Sequence, residues 1–169
     1  MKKFLVEDKN AKSKSFFLKR ENIIFDKKFI RFLEMNYLKH KQDIRICMHK
    51  KSSAKHHDMI ILQQKKNFYF PHKHLKKGET YHIIKGKMTC VLFYNDGKIK
   101  KSCTISKNNI FRTPINTFHT MLPLTKYVIY HESKIGPFLK RRDSIFPSWN
   151  KKFRKSKKEI SIFKKKFNP

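Results

Sequence analysis

The sequence predicts an all-β fold, a sandwich or a small closed barrel. Between Ile44 and about Glu132, short apolar runs follow one another with turn signals between them and no helical period. Asn95-Asp96-Gly97, set between two such runs, is a strong hairpin turn. The hydrophobic content of 38%, with 16 Phe and 6 Tyr, supplies a core, so the chain as a whole is not disordered despite its charge.

The elements follow in order. Residues 1–42 are polar with helical patches and are expected as a helical extension packed on the barrel. Asp26 can cap the stretch that follows it, and Ile30, Leu33 and Tyr37 share one face at i, i+3 and i+7, which predicts a helix near 26–40. The barrel is expected over 43–138. Its strands are predicted at Asp43–Met48, Met59–Leu62, Asn67–Phe70, Thr80–Ile84, Met88–Tyr94, Lys98–Lys100, Cys103–Ile105, Ile110–Arg112, His119–Leu122 and Tyr127–Tyr130. After Gly136-Pro137 the strand pattern stops. Residues 139–169 are expected as a C-terminal segment ending in a Lys-rich tail, ordered at most in part, because Phe153, Phe163 and Phe167 keep no clean period.

Length and charge bound the function. A chain of 169 residues fits one domain with a terminal extension. Lys and Arg number 42 against 12 Asp and Glu, a net charge of +30. Most of the basic residues are Lys, Ala and Gly are scarce, and Ile and Phe are abundant. An AT-rich genome produces that profile without selection for a partner. Arg, the better residue for bidentate phosphate and base contacts, is scarce. The charge is therefore read as solubility before it is read as a nucleic-acid surface. The apolar runs are far short of the ~20 residues a membrane span needs. The start of the chain reaches Glu7 and Asp8 before an apolar core of a signal peptide forms, so export is not expected. Cys47, Cys90 and Cys103 are odd in number and lack C-x-x-C spacing. They read as free thiols of a reducing compartment, the cytoplasm.

The segment Pro71-His72-Lys73-His74-Leu75-Lys76-Lys77-Gly78-Glu79 carries the chemistry. On a strand, His72 and His74 point to one face and can converge on one ion. Leu75–Gly78 turns the chain, and Glu79 approaches the same ion from the neighbouring strand. Pro114-Ile115-Asn116-Thr117-Phe118-His119 then brings a third imidazole, expected to face the first two across the barrel. Three His and one Glu make a mixed N/O site for one divalent first-row metal, with Fe, Mn, Zn, Ni and Co all suited. Such an ion polarises a carbonyl or hydroxyl, or activates water. Arg112 and Lys73 lie near the motifs and are candidates to hold a carboxylate or phosphate of the ligand. Tyr81, on the strand face of Glu79, and Glu132 are candidate proton carriers; packing for Tyr81 and a rim ion pair for Glu132 are the plainer alternatives.

The two segments resemble the paired cupin signatures, G-x5-H-x-H-x3-4-E-x6-G and G-x5-P-x-G-x2-H-x3-N. The match runs through His72, His74, Glu79 and Gly86, then Pro114 and His119; Lys66, Asn116 and Pro123 depart from it. Asn116 is a mild change, since Asn tolerates the left-handed conformation that the glycine serves. Within that superfamily the chain is similar to the WbuC-type metalloproteins over about residues 25–149. The similarity lies in Arg45–His49, Tyr69–His74, Phe111–Pro114, Phe118–Thr120, His131–Phe138 and Phe146–Trp149. It implies a double-stranded β-helix, the jelly-roll-like cupin barrel, and a bound metal. It also implies a place in bacterial surface polysaccharide (O-antigen, lipopolysaccharide) biosynthesis, on a polar sugar-derived ligand such as a nucleotide sugar, and a homodimer. An isomerase- or epimerase-like reaction fits that setting. An iron-dependent dioxygenase, a non-catalytic ligand-binding or sensing module, and a nucleic-acid binder acting through the tail are the competing expectations.

Overall fold

The computed structural model describes residues 4–11, 13–19, 24–139 and 142–167. Ten strands and three helices build it: β1 (Leu5–Glu7), β2 (Lys14–Leu18), α1 (Lys27–His40), β3 (Ile44–Cys47), β4 (His56–Gln64), β5 (Glu79–Lys85), β6 (Lys87–Phe93), β7 (Ile99–Ser106), β8 (Ile110–Thr113), β9 (Phe118–Pro123), β10 (Tyr127–Ile135), α2 (Lys151–Lys155) and α3 (Lys157–Lys165). A seven-stranded sheet in the order β1-β2-β3-β4-β10-β5-β8 faces a three-stranded sheet β7-β6-β9. All neighbours are antiparallel except the β2–β3 pair.

Alternation along the strands sorts the core. Met59, Ile61, Tyr81, Ile83, Met88, Cys90, Met121 and Tyr130 point between the sheets. Ile44, Ile46, Ile60, Leu62 and Ile129 point outward and are covered by Phe29, Leu33 and Tyr37 of α1. That helix begins where Asp26 accepts from the Lys28 and Phe29 N–H groups, as expected from the sequence.

The structure departs from the sequence expectation in five places. The N-terminal segment contributes two strands as well as the helix, and β2 adds to β3 in register Lys14↔Ile44. Asn67–Phe70 is not a strand: Phe68 and Phe70 turn away to join an aromatic cluster. The runs Lys98–Lys100 and Cys103–Ile105 are one strand, β7, whose exposed residues hid its continuity. Strands β4 and β10 are longer than their apolar cores, because polar ends pair in register from Tyr127↔Gln64 to Ile135↔His56. The C-terminal residues form α2 and α3, and Phe153 and Phe163 bury against Val91, Phe93, Phe118 and Leu122 on the outer face of the small sheet.

The hairpin turn is as expected. Gly97 takes φ +90°, and Tyr94 N–H bonds to the Lys98 carbonyl at 2.9 Å. Among the described residues, no helix is long and apolar enough to cross a membrane.

Candidate metal centre

His72, His74, Glu79 and His119 each offer a ligand atom, and these atoms lie within 4.8 Å of one another. His72 and His74 sit on a short bridge segment rather than in a full strand. Their i, i+2 relation holds because the segment is extended. His72 exchanges both main-chain hydrogen bonds with His119 (3.1 and 2.9 Å), and Lys73 does so with Ile145 (3.0 and 2.9 Å). The partners therefore differ from the expected ones. His119, at the start of β9, is the neighbour of His72, and Glu79, at the start of β5, comes across from the large sheet. Asn116 takes φ +56° in the turn before β9, and its N–H bonds to the His74 carbonyl at 2.9 Å. Gly86 turns the chain after β5 at φ +89°.

The orientation of the imidazoles tests whether a metal fits. His72 Nδ1 lies 3.0 Å from the Phe70 carbonyl, His119 Nδ1 lies 2.9 Å from the Thr117 carbonyl, and His74 Nδ1 contacts the Asp143 carbonyl. A carbonyl only accepts, so each Nδ1 carries the hydrogen and each Nε2 presents its lone pair. This is how metal-bound histidines are held by the groups behind them. His119 Nε2 lies 2.9 Å from Glu79 Oε2, and His74 Nε2 lies 3.0 Å from Glu79 Oε1. His74 Nε2 is buried and out of line for a hydrogen bond. Lone pairs facing a carboxylate inside a protein need a cation or protons between them. Two donors each about 2.1 Å from an ion and at right angles lie about 3.0 Å apart. The donor set fits a divalent first-row ion.

Electrostatics keep His72 and Glu79 in ligand form and act the other way on His74. Burial, then the neighbouring His119, pushes the His72 imidazole down to about 4, so it is neutral at pH 7. Burial also works against charge on His74, but the Glu79 carboxylate outweighs it and shifts that pKa up. Burial raises the Glu79 carboxyl, yet Lys134 and the two imidazoles outweigh it and hold the group well below the usual carboxylate range. Lys134 Nζ donates to Glu79 Oε1 at 2.7 Å and lies 3.1 Å from Glu132 Oε1. The two carboxylates overcome burial to keep that ammonium charged.

Of the other candidates, Tyr81 joins the cluster: its hydroxyl donates to Glu79 Oε2 at 2.6 Å, and burial followed by the Glu79 charge raises its pKa well above that of free tyrosine. Glu132 lies on the same inner face, opposite Tyr81 in the β10–β5 register, and reaches the centre through Lys134. Arg112 is not brought to it. Its partner across the β5–β8 pair is Thr80, one residue out of phase with Glu79, and its guanidinium donates to the Thr80 hydroxyl at 3.0 Å. The Lys73 ammonium sits 4.7 Å from the Phe118 ring. Sequence reasoning did not single out Lys134, Asp143 or Arg45. For Lys134 the signal was available, since it lies two residues beyond Glu132 and so on the same strand face.

A family described as a domain of unknown function, DUF6016, matches residues 38–105. No curated protein matches the sequence. Among solved structures, the capsular polysaccharide assembling protein CapF from Staphylococcus aureus superposes with a TM-score of 0.52 at 14% identity, over 63% of this chain and 31% of CapF. The chain thus matches less than a third of CapF's length. Oxalate decarboxylase from Lactobacillus farciminis gives 0.46 at 18% identity over 63% of this chain and 30% of its own. KdgF from a Halomonas species gives 0.45 at 14% over 57% and 77%. The CapF likeness is one of fold: this chain has the cupin fold.

Proposed function

We propose that the protein is a cupin metalloprotein that holds one divalent first-row metal on His72, His74, Glu79 and His119 and uses it on a small polar, sugar-derived ligand. One observation carries the reading: three imidazoles, each tied through Nδ1 to a main-chain carbonyl, turn their Nε2 atoms toward one buried carboxylate. The ion would supply Lewis acidity toward a carbonyl or hydroxyl oxygen. The chain's own part is to orient. Tyr81 and Lys134 each bind one oxygen of Glu79 and fix the plane of its carboxylate. Both also bring protons within reach of a ligand atom at the centre.

The setting in bacterial surface polysaccharide assembly rests on the WbuC-type resemblance. CapF, named for assembling capsular polysaccharide, supports it at the level of fold. Elemental analysis of protein purified without a His-tag tests the centre. About one first-row metal per chain is expected, and His72→Ala and His119→Ala should each lose most of it. Full retention in both variants would end the reading.

A further inference from the structure

We infer that the cavity beside Arg45 is a ligand pocket next to this centre, and that it takes a small polyhydroxylated carboxylate whose acid group is held by Arg45. The inference rests on the metal reading for its chemistry and on separate residues for its evidence. The cavity has a volume of about 470 Å³ and is lined by Asp43, Arg45, Ile61, Tyr69, Tyr130 and Glu132 among others. That size lies within the about 300–1,000 Å³ of small-ligand clefts.

The cavity adjoins the centre on the same inner face. Glu132 lines it and lies 3.1 Å from Lys134, which donates to Glu79. The Tyr130 ring lies 5.7 Å from that of Tyr81, whose hydroxyl is on Glu79. A ligand in the cavity is therefore linked to Glu79 through two side chains on either path, Glu132 and Lys134 or Tyr130 and Tyr81.

The hydrogen-bond ledger shows which wall groups are spare. Asp43 is spent: it accepts from the Gln64 N–H (2.9 Å) and the Tyr69 hydroxyl (2.7 Å). The Tyr130 hydroxyl donates to Gln63 Oε1 at 3.2 Å. Arg45 is only half-buried, and its Nε donates to the Ser15 hydroxyl at 3.3 Å. Among the described residues its terminal N–H groups have no acceptor, and no carboxylate lies within ion-pair distance. A planar guanidinium with unused donors on a cavity wall matches a carboxylate in two-point fashion. The second spare group is Glu132, which has one oxygen near Lys134 and can accept from a ligand hydroxyl.

Charge selects within the anions. One Arg faces two carboxylates across the cavity, Asp43 and Glu132. A singly charged acid meets that one guanidinium, whereas a diphosphate brings further negative charge to a wall that already holds two carboxylates. The pocket thus favours a sugar acid over a nucleotide sugar.

Calorimetric titration with D-glucuronate, D-glucose and UDP-glucose, on metal-loaded and metal-stripped protein, tests this. Glucuronate is expected to bind at least tenfold more tightly than either competitor. Arg45→Met should erase that preference while keeping the metal content of the wild type. If Arg45→Met does not fold, Arg45→Lys carries the test, with glucuronate weakened several-fold and glucose unchanged. Equal binding of glucuronate and glucose, or a preference for UDP-glucose, or no binding of any of the three, overturns the inference even if the metal is present. A glucuronate preference that depends on Arg45 in a protein that holds no metal sustains the pocket and removes the metal reading instead.

Discussion

The main-chain carbonyl of Asp143 accepts the Nδ1–H of His74 across 69 residues of sequence. It thereby ties a loop that follows the barrel to a ligand at its centre. The Asp143 side chain anchors that loop in turn, by accepting from the Lys77 ammonium and from the Leu139 N–H at 3.1 Å.

Asp143→Ala removes both anchors without touching a ligand atom. The carbonyl then loses its fixed position, and His74 loses its orientation. Metal affinity should fall about 10–100-fold, as it does when groups behind metal ligands are removed. Competition against a fluorescent chelator reads this directly. An unchanged affinity would mean that His74 is held by its neighbours in the barrel alone.

The C-terminal helices are part of the core. Phe163 stacks near Phe93 at 5.9 Å and Phe153 at 5.3 Å between ring centroids. Phe163→Ala should cost about 3–5 kcal/mol in urea unfolding, the usual loss for a buried phenylalanine. A loss below about 1 kcal/mol would show that the helices leave the sheet freely.

The barrel strands β3–β10 and the four candidate ligands were legible in the sequence because each depends on a local pattern. Alternation marks β5, Asn95-Asp96-Gly97 marks the hairpin, and spacing gathers the histidines. What was missed depends on contacts distant in sequence. The docking of α2 and α3 follows from Val91, Phe93, Phe118 and Leu122, which need a cover on the outer face. The run Met88–Phe93, polar only at Thr89, hints at this, since a strand buried on one face alternates. The Phe153 and Phe163 pair has no helical period because α2 and α3 are separate helices broken at Ser156. Arg45 reads as one basic residue among many, and only the fold sets it on a cavity wall with its terminal donors unpaired among the described residues.

The hairpin turn is pinned by Trp149. A Cβ at Gly97 would come 2.9 Å from the indole, at a φ of +90°. The indole N–H also donates to the Asn95 carbonyl at 3.1 Å. Gly97→Ala therefore strains the backbone and pushes the ring off together, and should cost at least about 1–2 kcal/mol. Equilibrium unfolding checks the value, and the tryptophan emission should shift to the red as the ring gains solvent. A neutral substitution with unchanged emission would contradict the contact.

Acid should weaken the fold through a histidine pair away from the centre. His49 and His57 stack with ring centroids 4.0 Å apart. Burial, then the charge of His57, lowers the His49 pKa from 6.5 to about 4. The unfolded chain therefore binds a proton between pH 6.5 and about 4 that the folded chain refuses. Stability from this source is full above pH 6.5, falls as the pH drops toward 4, and levels off below it. Denaturant midpoints at pH 7 and pH 5 should differ in that sense. His49→Phe, which keeps the stack and removes the titration, should shrink the difference. An undiminished difference would assign the pH effect to other groups.

Lys134 and a bound cation act on the same carboxylate, so their effects on stability should be linked. Without metal, the Glu79 charge is answered by Lys134, the Tyr81 hydroxyl and two imidazoles. Lys134→Met leaves that charge short of its one permanent cation, and loss of one partner of a buried pair costs about 3–5 kcal/mol. The metal-stripped variant should be destabilised by that order. A divalent ion on Glu79 supplies the missing positive charge. The metal-loaded variant should therefore lose markedly less, and the stabilisation gained on adding metal should be larger in the variant than in the wild type at the same metal concentration. Thermal unfolding of wild type and Lys134→Met, each with metal and with chelator, closes the cycle. Equal losses in the two states would show that no cation shares Glu79 with Lys134.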